Sequence, residues 1–435
     1  MNDRSLLLRL LGSSVGSQAL LSAASLVVGL LLIRRTSGEQ YGAYVLVANA
    51  FLLLTSLQNA FFGPSLILRM APLDAAARGA LVAGVHREQR QVLRWVFGSA
   101  AVLIAVLGLG GAMPGSTALL LLAAALAAPA ALTRDYFRSA TLAQQRAQDV
   151  MRCDLLYALL LVGGAALATL SPLPAATAVV TLALAALCAA AALSRQLPRD
   201  VPGSASPAGG LLRQIATLGA WSTAGAAIHW TFSQGYGYLV AATLDVGAVA
   251  AIAATRLLLM PVNLLSTGVG AMMLPVTAGW LQQQAPRRVA RRLVPVALGV
   301  AAAAALYLAA MWLLRDWIFA HVLKKDFAQR DQLLILWSAV SLLMVVRDQS
   351  VHLLVSSGRL RQLTLVTLCS ALLSLCISYW GMHHYGMAGA LLGVLCGEAA
   401  NVLGIFAATA LCLLRHPAPG EGPALQPAPQ AAPSA

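Results

Sequence analysis

Apolar residues run along this chain in long blocks, and polar residues gather between them. About 20 apolar residues in a helix cross the hydrocarbon core of a bilayer. On that measure the pattern predicts spans over 14–33, 43–67, 93–111, 118–141, 155–170 and 175–193. A second set follows over 215–239, 249–272, 294–314, 333–355, 363–380 and 387–414. Residues 195–210, between the sets, are rich in Pro, Gly and Ser, the composition of a linker. The chain therefore divides into a first six-helix lobe (1–194), a cytoplasmic linker (195–213), a second six-helix lobe (214–415) and a tail (416–435). The tail is rich in Pro and Ala, has too little apolar content to fold, and is expected to be disordered. The expected fold class is an all-α polytopic membrane protein. About twelve transmembrane helices form two parallel six-helix repeats around a central cavity.

Two internal matches support the duplication. Arg134 and Asp135 close the fourth apolar block, and Arg347 and Asp348 sit in the tenth. The two pairs are 213 positions apart, as are Arg146 and Arg359. A looser match sets Gly42–Leu54 against Gly247–Leu259 at an offset of 205. The connection 315–331 is long enough to hold the eight extra residues.

Composition narrows the class further. The 435 residues are 59% hydrophobic and 10% charged, against roughly 25% charged in soluble domains. The net charge of +14 would suggest nucleic acid for a soluble chain. Here the basic residues lie between spans, where they set topology, and no nucleic-acid partner is expected. With the N-terminus inside, 20 arginines face the cytoplasm, Arg138 among them. Six cations face outward: Arg34, Arg35, Arg315, Lys324, Lys325 and Arg330. Both termini are then cytoplasmic. No small-residue cleavage site follows the first block, which reads as a helix rather than a removed signal. Six cysteines show no metal-ligand spacing and read as small membrane-buried residues.

The candidate chemistry is ionic rather than catalytic. There is no Walker loop, the histidines lack ligand spacing, and 315–331 is too small for a catalytic domain. No metal, no cofactor and no enzymatic activity are expected. What stands out is charge at membrane depth, where an ionised group costs several kcal/mol on insertion scales. Arg134 and Arg138 share a helix face, as do Asp348 and His352, and His229 and Ser233. Glu398 precedes Asn401 by three positions, and Asn263 follows Arg256 beyond Pro261. Arg134 and Arg347 admit two readings. Either they reach back to the headgroups with Asp135 and Asp348 as local partners, or they line a cavity that attracts an anion. Arg256 has no acidic residue within a turn and is read as cavity-lining, with Glu398 or Asp245 as partners in space. Glu398 and Asp135 are ion-coupling candidates beside Asp348 and His229, although His229 first reads as a satisfied interior histidine. Pro64, Pro129, Pro261 and Pro275 are candidate kinks.

The segment Leu31-Leu-Ile-Arg-Arg-Thr-Ser-Gly-Glu-Gln-Tyr-Gly-Ala-Tyr44, with an acidic residue before Tyr-Gly, and the stretch from Arg134 to Arg146 carry a family likeness. The chain resembles the polysaccharide transporters of the multidrug/oligosaccharidyl-lipid/polysaccharide exporter superfamily, the group containing O-antigen and exopolysaccharide flippases. The resemblance implies a V-shaped molecule of two lobes in the bacterial inner membrane. It implies a polyprenyl-pyrophosphate-linked oligosaccharide as substrate, moved to the far face by alternating access among membrane lipids. Polysaccharide polymerase or export machinery would be the partner. Substrate binding is assigned to Arg134, Arg256 and Arg347, because arginine stays charged at any working pH. The alternatives are an integral-membrane polymerase or acyltransferase, or a drug or lipid II exporter of the same superfamily.

Overall fold

The computed structural model describes residues 3–70, 72–196 and 210–414. Most of the expected linker, the 416–435 tail and the side chain of Pro275 lie outside the described residues, as do the side chains of Arg4 and Arg9. The first half contains α1 (Asp3–Arg35), α2 (Gly38–Met70), α3 (Ala75–Leu109), α4 (Gly115–Ala143), α5 (Ala147–Ala168) and α6 (Pro174–Gln196). The second half contains α7 (Leu211–Thr243), α8 (Val246–Leu257), α9 (Met260–Gln283) and α10 (Pro286–Leu313). It continues with the single turn α11 (Arg315–Trp317), a π-helical turn (Ile318–Leu323), α12 (Arg330–Ser356) and α13 (Leu360–Leu414). Among the described residues, ten helices are long and apolar enough to cross a membrane.

Three of the expected spans are built differently from a plain helix. The eighth, expected over 249–272, is broken between α8 and α9. Pro261 has no N–H, so the carbonyl four residues back loses its partner. The Val262 amide turns from Leu258 to Leu259, and the Tyr307 hydroxyl donates to the Leu258 carbonyl thus freed at 2.7 Å. Irregular backbone at membrane depth is stable where protein supplies the missing bonds. The eleventh and twelfth spans are both contained in α13, which folds back at Gly386 (φ 58°, ψ −134°). The hairpin closes on small residues. A Cβ on Gly389 would stand 2.0 Å from the Gly381 carbonyl, and one on Gly393 would stand 2.2 Å from Ser378. Gly397 faces Ser374 in the same way. Glycines four apart thus meet Ser370, Ser374 and Ser378 across the hairpin, the close packing that bilayer helices use. Glu398 follows directly and is fixed by that contact.

The offset of 213 recurs in the backbone. Gln145 (φ 60°) ends α4 and Gly358 (φ 72°) ends α12. Gln145 N–H donates to Leu142 and Arg146 N–H to Thr141; Gly358 N–H donates to Val355 and Arg359 N–H to Leu354. Both are the same left-handed helix-closing motif, 213 positions apart.

In the first half α4 packs on α6, and α5 on α1 and α6. In the second, α12 packs on α13, α9 and α10, and α7 on α13. The halves meet where α2 lies against α7 and α8. They share one apolar core at the end where α1 runs into α2: Val28, Leu32, Tyr41 and Val47 pack with Ala250, Ala254, Leu258 and Phe319. A Cβ on Gly42 would stand 2.0 Å from the Val246 carbonyl there. At the opposite end the cores separate. Phe62, Leu66, Tyr136 and Leu193 pack with the first turns of α7. Leu354, Ile405 and Cys412 form one small second-half cluster, and Val289, Leu293 and Leu353 form another. The bundle is therefore joined at the α1–α2 end and, apart from the first turns of α7 that pack on the first half, divided among the described residues at the α2–α3 end. Cys153 and Cys412 are buried inside the bundle, and Cys188, Cys369, Cys376 and Cys396 stand on the outer faces of helices long and apolar enough to cross a membrane.

Candidate functional site

Each half buries one ion cluster on its fourth long helix. In the first half Arg134 is 7% exposed. It pairs with Asp135 at 2.9 Å and with Asp154 of α5, and its guanidinium lies 4.0 Å over the Tyr157 ring. Asp154 is fully buried. It also accepts from Arg138 Nε at 3.0 Å and from the Ser17 hydroxyl of α1, and Arg138 donates to Ser17 at 3.2 Å. Two arginines and two aspartates thus close a neutral network that pins α1, α4 and α5 together. A buried charge persists only when paired in this way.

The second-half cluster is similar in origin and different in partner. Arg347 is 8% exposed, donates to Asp348 at 2.9 Å and reaches Glu398 of α13 at 2.5 Å. The other Asp348 oxygen accepts from the Ser266 hydroxyl of α9 at 2.6 Å. One arginine faces two carboxyl groups, so this cluster holds one acidic side chain more than it has arginines. The counter-carboxylate comes from the fifth helix in one half and from the last in the other. The duplicated Arg-Asp pair is kept while its outer partner is not. His229 of α7 is exposed and lies in electrostatic range of Arg347 and Asp348. His352 packs against Gly270 of α9.

Arg256 is set apart from both. It lies in the last turn of α8, beside the break, where the helix dipole favours a cation. Its Nη1 donates to Gln234 Oε1 at 2.6 Å, to the Tyr236 hydroxyl at 3.2 Å and to the Ser233 carbonyl at 3.4 Å. The guanidinium stands 5.1 Å from the centre of the Trp337 ring. All of these partners are neutral. Neither Glu398 nor Asp245, the partners expected from the sequence, pairs with it. Glu398 is taken by Arg347, and Asp245 caps the start of α8 through the Ala248 amide. Among the described residues no ion pair neutralises Arg256.

The arginines of the Arg-Asp pairs do not reach out to headgroups; both turn inward onto carboxylates. Arg138, counted with the surface cations from its sequence position, belongs to the first buried cluster instead. Asp154, Ser17 and Ser266 were not singled out by the sequence. Asp154 sits two residues from Arg152 and looks like a loop charge. Its signal is the spacing of Val150, Asp154, Ala158, Leu161 and Ala165, one buried face of α5. Among the described residues no group of three His, Cys, Asp or Glu is placed to hold a metal ion.

At the joined end, cations cross between the halves. Arg34, at the end of α1, donates to the Val322 carbonyl and to the His321 carbonyl at 3.1 Å. Lys325, just past the π-helical turn, donates to the Thr36 carbonyl at 2.8 Å. Each half thus supplies a cation to a helix C-terminus of the other, where free carbonyls are available. Between this seam and α4–α6 lies a cavity of about 630 Å³ lined by Glu39, Gln40, Ser116, Thr117 and Asp245.

No protein-family model and no curated protein matches the sequence. Solved structures do. The chain is similar to an inward-facing conformation of a multidrug resistance MATE family transporter of the MOP superfamily, with a TM-score of 0.73 at 13% identity. The match covers 91% of this chain and 94% of that one. An outward-facing conformation of a MATE family transporter gives 0.65 at 11% identity, covering 95% and 96%. The lipid II flippase MurJ, in an inward closed conformation, gives 0.74 at 10% identity, covering 91% and 86%. The fold is the one these transporters share, twelve helices in two six-helix repeats.

Proposed function

We propose that this chain is a flippase that carries an anionic lipid-linked oligosaccharide across the bacterial cytoplasmic membrane by alternating access. The observation that carries the reading is Arg256, a half-buried arginine at a helix break whose partners among the described residues are all neutral. Broken helices in two-repeat transporters mark substrate sites. A cation held there without a counter-ion attracts an anionic group, and a pyrophosphate supplies one. Arg134 and Arg347 are already compensated, so their contribution to binding requires a carboxylate to be displaced. Their role is then to hold each lobe rigid around Arg256.

The joined α1–α2 end and the divided opposite end correspond to one closed and one open face. The positive-inside rule assigns the divided end to the cytoplasm, with both termini on that side. The higher TM-score with the inward-facing than with the outward-facing MATE family conformation supports the same assignment. In this state the headgroup and sugars enter from the cytoplasm while the lipid tail stays in the bilayer. A sugar chain is too polar to cross hydrocarbon unaided, so the lobes must carry it. Release outward requires the Arg34 and Lys325 contacts and the Gly42–Val246 packing to part. The chain is thereby a transporter and not an enzyme, working beside the machinery that polymerises or exports the sugar.

The test is reconstitution. Purified protein in liposomes is given a fluorescent polyprenyl-pyrophosphate oligosaccharide, and its passage to the opposite leaflet is read by quenching. Wild type is expected to move it, Arg256→Lys to retain part of the rate, and Arg256→Gln to lose about ten-fold or more, the worth of one charged hydrogen bond. Transport of a neutral polyprenyl glycoside at the same rate as the pyrophosphate would refute the anion-based reading.

A further inference from the structure

The corner between α9 and α10 carries charge that neither the fold nor the transport reading uses. Arg287, Arg288, Arg291 and Arg292 occupy the first two turns of α10, and all four are exposed. Among the described residues none of them forms an ion pair. Arg287 Nε donates to the Leu413 carbonyl at 3.2 Å, and Arg292 lies 5.4 Å from the centre of the Trp280 ring. The helix begins without a side-chain cap. Four cations thus crowd the end of a helix whose dipole disfavours them. Topology alone does not require that density on one corner.

The rest of α10 says what the charge faces. Val289, Leu293, Val300, Ala304 and Leu308 form its buried side. The four arginines all fall on the opposite, outer side. Directly along that side from Arg287 and Arg291 come Val294 and Leu298, 54% and 65% exposed, and Leu306, 76% exposed. Positions 287, 291, 294 and 298 share one helical face. Cations at the top of an apolar stripe match the two parts of a phospholipid, an anionic headgroup above its acyl chains. Trp280, an amphipathic ring of the kind that settles at headgroup depth, marks the level of the arginines.

We propose that this corner is a binding site for an anionic membrane phospholipid. Arg288, Arg291 and Arg292 hold its phosphate, and the acyl chains lie along Val294 and Leu298. The site is separate from Arg256 and does not depend on what the protein transports.

The full chain is purified in detergent and titrated with phosphatidylglycerol or phosphatidylcholine, and bound lipid is counted by native mass spectrometry. Phosphatidylglycerol is expected to bind more tightly than phosphatidylcholine. Arg291→Gln with Arg292→Gln is expected to weaken phosphatidylglycerol about 30-fold, at about five-fold per arginine near a membrane surface. Arg291→Lys with Arg292→Lys, which keeps charge and topology, is expected to retain most of the binding. Arg90→Gln with Arg94→Gln removes two exposed arginines from α3 and is expected to change little. Equal loss in the α3 and α10 variants would reduce the effect to general surface charge and overturn the site. Unchanged phosphatidylglycerol binding in the α10 glutamine variant would overturn it as well.

Discussion

Asp154→Asn tests whether the first buried cluster holds its lobe together. Asp154 is fully buried and receives Arg134, Arg138 and Ser17 from two other helices. Asparagine keeps the shape but removes the negative charge. Arg134 is left with Asp135 alone, and Arg138 loses its carboxylate. Breaking a buried pair by neutralising one partner costs about 3–5 kcal/mol. The Arg138 side chain is 20% exposed, so water compensates part of its loss, and the lower figure of about 3 kcal/mol applies. Thermal unfolding of the purified protein in detergent is expected to shift down by about 6 °C, at about 2 °C per kcal/mol for a large domain. Adding Arg138→Gln restores charge balance and is expected to recover about half of the shift, a coupling typical of residues in one network. Asp154→Asn melting within about 1 °C of wild type would refute the cluster as a structural clamp.

Four further outcomes follow from the geometry. Gly42→Val places a side chain against the Val246 carbonyl, where even a Cβ would stand only 2.0 Å away; transport is expected to fall sharply at unchanged membrane levels, measured by the quenching assay and blotting. Arg34→Ala with Lys325→Ala removes both cross-half contacts. A membrane-impermeant maleimide is then expected to label a cysteine placed at Ala43 severalfold faster, in a background without the native cysteines. Gln145 holds a left-handed backbone (φ 60°) where its counterpart is Gly358, so Gln145→Gly is expected to stabilise by up to about 1 kcal/mol, read as a raised melting temperature. Glu88 accepts from the amides of Gly210, Leu211 and Leu212; Glu88→Ala is expected to cost about 1 kcal/mol by the same measurement, the worth of a helix cap.

The twelve crossings were legible because hydropathy averages over many residues and needs no partner. The Arg-Asp duplication was legible because it lies in the covalent order, and the matching turns at Gln145 and Gly358 carry it into the backbone. The break in the eighth crossing was half legible. Pro261 marked a kink, but the helix yields at Leu258 and Leu259, because a proline strands a carbonyl in the preceding turn. The ion partners were not legible. Glu398 reaches Arg347 rather than Arg256 because the α13 hairpin turns at Gly386 and closes on Gly389, Gly393 and Gly397. That choice is made by packing between segments 51 positions apart. Asp154 was hidden by its neighbour Arg152, and only its spacing with Val150, Ala158 and Leu161 on the buried face of α5 could have revealed it. The same packing leaves Arg256 without a carboxylate partner among the described residues, and the functional reading rests on that.

The most direct measurement is the sidedness of lipid-linked oligosaccharide in cells lacking this chain, complemented with wild type or with Arg256→Gln at matched expression. Loss of the chain is expected to trap the glycolipid on the cytoplasmic face, wild type to release it and Arg256→Gln to leave most of it trapped. Unchanged sidedness without the chain, with altered polymer length or decoration instead, would contradict the flippase account and point to an enzyme.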